Sequence, residues 1–173
     1  VQLSERAGNL QARFAIPASQ IQETATAEAA RCTAQQKYLR GLFSGGTLCY
    51  EAELVLRDLV GEVYSNVPLD QKYALADPEQ SREHTLIDMG DDYFTDGRPH
   101  PMIDPGYRVE RFKREALDPE TKVVLLDVVI GYGCHADPAG ALVPAIVEAK
   151  KAALEAGRYI SVVATVCGTE GDP

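Results

Sequence analysis

The sequence predicts an α/β domain in which helices cover both faces of one doubly wound parallel sheet. Four short runs rich in β-branched and apolar residues alternate with stretches in which apolar residues recur at helical spacing. The run at residues 123–130 is almost continuously apolar, which is typical of a strand covered on both faces. Strands that alternate with helices favour parallel pairing through right-handed crossovers. A length of 173 residues with 45% hydrophobic content suffices for one such three-layer, flavodoxin-like domain.

The elements follow one another in a regular order along the chain. Strands are predicted at residues 40–44, 85–89, 123–130 and 159–166, and helices at residues 47–59, 107–116 and 139–156. Pro144 falls inside the last helical pattern, so that helix is expected to begin only near Leu142.

The N-terminal segment, residues 1–38, differs in composition from the rest of the chain. Ala, Gln, Glu and Thr dominate between Ala18 and Gln36, and a helix is predicted from Ser19 to Tyr38. We interpret it as a linker helix from an N-terminal domain that the sequence does not contain. Since the chain stops at Pro173, directly after a strand-like run, we expect a fragment of a longer protein whose α/β domain occupies residues 39–173.

Charge and cysteine content exclude several classes of protein. The net charge of −9 argues against nucleic acid and anionic membranes as partners, because both need a basic surface. No apolar run approaches the length of a membrane span, and no signal peptide is visible. The four cysteines lie far apart, which favours reduced thiols in the cytoplasm. The cysteine and histidine spacings match no zinc ligand set, so no metal site is predicted.

The most informative segment is a glycine-rich turn between the first strand and the first helix. Ser44, Gly45, Gly46 and Thr47 follow an apolar run, and helical spacing begins directly after them. Glycines let the backbone approach a ligand closely, and the free N–H groups of a first helical turn favour an anion. We therefore predict that these four residues bind phosphate, although the sequence has neither a P-loop nor a dinucleotide-binding motif there.

The other predicted strands also end in polar sequences that contain glycine. Because the carboxyl ends of parallel strands lie on one edge of a sheet, where ligands bind, these residues are predicted to form one site. Gly131 and Gly133, after the third strand, are predicted to bind phosphate with the first turn. The further residues predicted at the edge of the site are Asp91, Asp92, Arg98, His100 and Glu170.

His135, in the turn after the third strand, is the candidate catalytic residue. A histidine there could act as a nucleophile or general base, or it could cap the next helix or bind a loop carbonyl. Arg98, in a long Pro-rich loop, could clamp a carboxylate or phosphate, or brace an aspartate of its own loop. Asp91, Asp92 and Asp96 could hold magnesium with a phosphate, or could belong to a solvated loop.

Several segments resemble the FdrA family, whose members are related to succinyl-CoA synthetase. These segments are Gly41-Leu-Phe-Ser-Gly-Gly-Thr-Leu-Cys-Tyr-Glu-Ala52, Ile87-Asp-Met-Gly-Asp-Asp92, Asp96-Gly-Arg-Pro-His-Pro-Met-Ile-Asp104 and Leu126-Asp-Val-Val-Ile-Gly-Tyr-Gly-Cys-His-Ala-Asp-Pro138. The resemblance covers roughly residues 38–173. It implies a flavodoxin-like ligase domain of the succinyl-CoA synthetase type that follows a CoA-binding Rossmann domain.

The resemblance also implies roles for the two glycine-rich turns. Gly45, Gly46 and Thr47 would form a helix start aimed at a phosphate carried on a histidine, and residues 131–137 would form the second such turn of the family. The Gly-His-Ala-Gly phosphohistidine segment of the synthetases is absent from the sequence, and there is no room for an ATP-grasp domain. These 173 residues are therefore not expected to be a complete acid–thiol ligase.

Two alternative functions stand beside the ligase. The resemblance to FdrA-type proteins also implies that the protein could be a component of an oxamate carbamoyltransferase in allantoin and purine catabolism. The fold also suits a non-catalytic scaffold that binds CoA or a metabolite. The cofactors implied for the full-length protein are CoA, a nucleotide or carbamoyl phosphate, and magnesium. The expected partners are a small phosphorylated ligand, the CoA-binding domain, other subunits and a second copy of the chain. Convergence of His135, Arg98 and Asp92 on the glycine turn would favour an enzyme, and their scattering a scaffold.

Overall fold

The computed structural model describes residues 16–168, which belong to two compact units divided between Cys32 and Thr33. The first unit contains helix α1 (Ala18–Ala30), none of whose residues is buried. Its sequence favours a helix but provides no apolar stripe that could pack against a core. The predicted end of this helix at Tyr38 is wrong, because α1 ends at Ala30 and Tyr38 begins the first strand.

The second unit, up to residue 168, contains five strands and four α-helices. In chain order they are β1 (Tyr38–Phe43), α2 (Gly46–Val60), β2 (Tyr64–Ser65), β3 (Thr85–Asp88), α3 (Asp92–Thr95), α4 (Gly106–Leu117), β4 (Thr121–Val129), α5 (Pro138–Glu155) and β5 (Ser161–Cys167). No helix within residues 16–168 combines the length and the apolar content that a bilayer-spanning segment needs.

All five strands are parallel and lie in the order β2-β3-β1-β4-β5. The central strand is β1, in which Arg40 pairs with Thr85 of β3 on one side and with Val124 of β4 on the other. Helix α2 packs on one face of the sheet, and α4 and α5 pack on the other. The predicted doubly wound parallel sheet of flavodoxin-like type is confirmed.

Two apolar clusters separate the three layers. Leu42 belongs to the cluster beneath α4 and α5, whereas the next residue, Phe43, belongs to the cluster beneath α2. Neighbouring residues of a strand point to opposite faces, so a run of consecutive apolar residues supplies both clusters. Each fully buried side chain of this size contributes about 1.5–3 kcal/mol relative to an exposed one.

Short elements and one helix boundary differ from the prediction. β2 and α3 were not predicted, because two and four residues are too few to show a periodic pattern. Helix α5 begins at Pro138 rather than near Leu142, since Asp137 caps it by accepting the N–H of Gly140 at 2.7 Å. Pro144 lies within the helix at an exposed position. It removes one backbone hydrogen bond, but the helix continues through it to Glu155.

A buried ion network ties α4 to β1 away from the carboxyl ends of the strands. Nε of Arg40 lies 3.1 Å from Oε2 of Glu115, and Nη2 lies 3.0 Å from Oδ2 of Asp118. Glu115 also binds Arg111, with 2.6 Å between Oε1 and Nε. The side chains of Arg40 and Glu115 are almost completely buried, so each needs the opposite charge that the other supplies.

Candidate functional site

The candidate site lies at the carboxyl edge of the sheet, where β1 meets β3 and β4. From β1 the chain passes to β2 and then β3 on one side of β1, and from β3 it crosses to β4 on the other side. The strands β1 and β4 therefore border the point at which the strand order reverses. Ligands of open α/β sheets bind in the crevice outside this point. The turn after β1 and the turn after β4 therefore occupy the expected place for a ligand.

The glycine turn after β1 leads directly into α2, as predicted. Gly45 is the N-cap residue, with extended backbone, and no side chain caps the first N–H groups of the helix. A methyl group built on Gly46 would lie 3.0 Å from Oδ2 of Asp88, and one built on Gly45 would lie 3.7 Å from Cε of Met102. A side chain at position 46 would contact Asp88, and the first N–H groups of the helix have no side-chain cap, so a helix start of this kind suits an oxyanion.

Ser44, the first residue of this turn, binds Asp127 of β4 and does not face the ligand edge of the sheet. Its backbone N–H donates to Oδ1 of Asp127 at 3.0 Å, and its hydroxyl donates to Oδ2 at 2.6 Å. Only 1% of Ser44 is exposed. Ser44 was predicted to bind phosphate directly, but its donors are already used by Asp127. These hydrogen bonds join the glycine turn to β4.

Asp127 is in turn held by Arg108 of α4. Nη2 of Arg108 donates to Oδ1 and to the backbone oxygen of Asp127, and a third hydrogen bond of 2.8 Å joins it to the backbone oxygen of Leu42. Both charged side chains are buried. Sequence reasoning missed this pair, although a signal existed, because a lone acid inside the apolar run at residues 123–130 requires a buried partner.

Asp88 ends β3 beside the glycine turn and is 7% exposed. Its Oδ1 accepts the N–H of Gly90 at 2.8 Å. The side-chain amide of Asn66 donates to the backbone oxygen of Asp88 and accepts its backbone N–H. Burial raises the pKa of Asp88, and the nearby Asp91 carboxylate raises it further. Asp88 was not among the predicted site residues.

His100 reaches the same place from the loop between α3 and α4. Its Nδ1 accepts the N–H of Met102 at 3.2 Å, so the neutral ring carries its proton on Nε2. A methyl group built on Gly90 would lie 2.7 Å from that Nε2 and 3.2 Å from Oδ1 of Asp88. The imidazole and the carboxylate therefore surround Gly90 together.

The loop that carries His100 also joins the two glycine-rich turns. The backbone N–H of His135 donates to the oxygen of Met102 at 2.7 Å, while the side chain of Met102 reaches Gly45. Nδ1 of His135 accepts the N–H of Asp137 at 3.0 Å, which is the local, helix-entry role considered for this residue. His135 thus lies at the edge of the site, and its Nε2 makes no hydrogen bond within residues 16–168.

Other predicted site residues contact different parts of the molecule. The guanidinium of Arg98 lies over the ring of Tyr107, 4.2 Å from its centroid, rather than over the glycine turn. Asp91 caps α3 by accepting the N–H of Tyr93, and Asp92 is exposed. Glu170 lies outside the described residues.

The second glycine-rich turn lies at the same edge of the sheet. Gly131 and Gly133 flank the exposed Tyr132, and Gly133 adopts a positive φ of 83° that favours glycine. No cluster of His, Cys, Asp and Glu that could hold a metal ion occurs within residues 16–168.

Comparison with known proteins identifies the family of this fold and site. A model of the CoA-ligase family matches residues 42–173, which is most of the chain and includes both glycine-rich turns. The chain belongs to the CoA-ligase family. As a CoA-ligase domain it is of the succinyl-CoA synthetase-like kind. A relative from Escherichia coli K12, described as the uncharacterized protein YahF, is 48% identical over 143 residues, which are 83% of this chain but only 28% of the relative.

Proposed function

We propose that this CoA-ligase domain is part of an FdrA-type acyl-CoA synthetase-like protein and that it stabilises a phosphoryl group at the start of α2. The single observation that supports this most is the uncapped helix start at Gly45 and Gly46, at the edge where the strand order reverses. N–H groups and the helix dipole together favour an oxyanion there by about 0.3–1 kcal/mol for each exposed contact.

Of the three residues whose convergence would favour an enzyme, Arg98 and Asp92 do not approach the glycine turn, which supports the non-catalytic scaffold as the alternative function, while the loop bridge between the two turns supports the enzyme. His135 and His100 both approach the glycine turn through Met102, whereas Arg98 and Asp92 do not. A histidine at a ligand edge is able to transfer a proton or to accept a phosphoryl group. The catalytic centre proposed here is therefore smaller than the one predicted from the sequence.

The whole protein needs more than this chain, since the chain spans little more than a quarter of the YahF relative. We propose CoA, a nucleotide and magnesium as its cofactors, with a CoA-binding domain and other subunits as its partners in the cytoplasm. Acyl-CoA ligation and oxamate carbamoyl transfer both handle a phosphorylated intermediate or substrate. An assay of the full-length protein with its partner subunits distinguishes them, by comparing CoA plus ATP turnover with phosphate release from carbamoyl phosphate.

The phosphate site is tested by Gly46→Val. We expect inorganic phosphate to bind the wild-type chain and to bind the variant at least about tenfold more weakly, because the valine side chain fills the space beside Asp88. The measurement is isothermal titration calorimetry, with urea unfolding to check that the variant is folded.

The control is Ala139→Val, which adds two methyl groups at an exposed position near the start of α5. Phosphate binding should be unchanged in this control. Undiminished binding by the folded Gly46→Val variant would contradict the proposed site.

A further inference from the structure

The two faces of the sheet are covered unequally within residues 33–168. Helices α4 and α5 pack on one face, whereas the other face has α2 alone. Helix α2 packs mainly against β1 and β3, so β4 and β5 have no helix of their own on this face. The open part is two strands wide, about 10 Å, and one α-helix has a diameter of about 10–12 Å. It therefore has room for one further helix.

The residues of β4 that point to opposite faces of the sheet differ in burial. Val124 and Leu126, beneath α4 and α5, are 0% and 2% exposed, whereas Leu125, between them, is only half-buried. Its partner on β5, Val163, is 51% exposed. A nearly continuous apolar run, as at residues 123–130, is typical of a strand that is covered on both faces. The sequence of β4 thus requires a cover on the α2 side, which residues 33–168 do not supply.

Helix α2 forms one wall of an apolar groove over this open part of the sheet. The groove has a volume of about 330 Å³, and Leu125 and Val163 form its floor. Leu48, Ala52 and Val55 line the groove from α2, and their spacing of four and three residues places them along one side of the helix. Val55 is 58% exposed. A second helix with apolar residues at the same spacing would fill the groove and bury these side chains.

The position of the groove beside β5 favours a helix that directly follows this strand. Such a helix packs next to its strand through a short connection of about 2–6 residues. On one face of the sheet α5 already lies over β4 and β5, so the α2 side is the open one. The part of YahF that matches this chain is 28% of that relative, so related chains contain further polypeptide that can supply a helix. Strand pairing by a second copy at the edge of β5 would widen the sheet without filling the groove.

We propose that in the full-length protein an amphipathic α-helix directly after β5 packs into this groove and covers β4 and β5 on the α2 side. Because it leaves β5 at the carboxyl edge of the sheet, this helix runs parallel to α2 and begins beside the first turn of α2. The connection after β5 thereby joins the turns after β1 and β4 at the same edge. The groove is an interface within one polypeptide, and its apolar lining belongs to the core of the complete domain.

Cysteine labelling compares the groove in the 173-residue chain and in the full-length protein. Val55→Cys places a thiol in the groove, and the control Val147→Cys places one on α5, where the native valine is 63% exposed. The Val55→Cys thiol should react with iodoacetamide at least about tenfold more slowly in the full-length protein than in the dilute 173-residue chain. The Val147→Cys thiol should react at similar rates in both proteins. Peptide mass spectrometry separates these thiols from the native cysteines. Equal rates for Val55→Cys in the two proteins would overturn the proposed cover.

Photocrosslinking in the full-length protein identifies what covers the groove. The photoreactive residue p-benzoylphenylalanine replaces Glu51 or Leu59, which lie about 12 Å apart along α2. Both crosslinks should map within about 40 residues after β5, and position 51 should join the earlier residue, because the two helices are parallel. A mixture of nitrogen-15 labelled and unlabelled protein separates crosslinks within one chain from crosslinks between copies. Crosslinks between copies, to a more distant part of the sequence or in the opposite order contradict the proposed helix, as does the absence of crosslinks.

Discussion

Ser44 and Arg108 bind one carboxylate, that of Asp127, and all three side chains are buried. The three residues come from the turn after β1, from α4 and from β4, so one side chain joins three elements beneath the glycine turn. Buried ion pairs add little net stability, but removal of one partner leaves an uncompensated charge. The position of the turn therefore depends on the neutralisation of Asp127 by Arg108 as well as on the glycines within the turn.

The substitution Arg108→Met tests how much the fold depends on the neutralisation of Asp127. We expect it to lower the free energy of unfolding by about 3–5 kcal/mol, since Asp127 keeps its charge without a partner. Addition of Asp127→Asn should recover part of the loss, because asparagine still accepts the N–H of Ser44 and carries no charge. Urea unfolding of both single variants and the double variant measures the coupling. A double variant as unstable as the sum of the two single variants would show that the residues act independently.

At the scale of single elements, β1 and the segment before β3 are joined by a histidine. Nδ1 of His84 accepts the N–H of Leu39 at 3.2 Å, a role that requires a neutral ring. Burial lowers the pKa of His84, and the positive charge of Arg40 lowers it further. Protonation of His84 therefore opposes the folded state.

The stability of the chain should fall as the pH falls from about 7 to about 5 because of His84. The unfolded chain, in which His84 has a pKa of about 6.5, takes up the proton before the folded chain does. His84→Asn keeps an acceptor for Leu39 without titrating in this range, so its stability should fall less. Thermal or urea unfolding at several pH values gives the comparison. Carboxylates contribute equally to both proteins, and parallel pH profiles would rule out a contribution from His84.

The elements differ in how well the sequence predicts them. The strand β4 was predicted from a long, almost continuously apolar run and the helix α5 from apolar residues at helical spacing, whereas β2 has two residues and shows neither pattern. The glycine turn was predicted because its chemistry is local to four consecutive residues. The pairing of Asp127 with Arg108 was not, since it joins two segments that meet only in the folded sheet.

At the scale of the whole molecule, β5 forms an edge of the described sheet. It pairs with β4, and no other described strand pairs with it. Val163 and Val166 are 51% and 65% exposed, and Val163 lines an apolar groove with Leu48 and Val55 of α2. An exposed apolar edge strand is a template for pairing with another chain.

We expect the 173-residue chain to self-associate through this surface at high concentration. Val163→Lys should reduce the association, because a lysine on an edge strand opposes both strand pairing and burial of the groove. Val147→Lys, at a similarly exposed valine of α5, is the control and should associate as wild type does. Sedimentation velocity measures the effect. A wild-type chain that stays monomeric at every concentration would contradict this expectation.

The ion network of Arg40, Glu115 and Arg111 lies away from the carboxyl ends of the strands, where the glycine turns are. Its residues hold α4 against β1 without contributing any side chain to the ligand edge. Mutations that change the loops after β1, β3 and β4 can therefore accumulate without loosening this anchor. The same scaffold can in this way acquire a new substrate in evolution while it keeps its fold, and a protein engineer would begin with those loops.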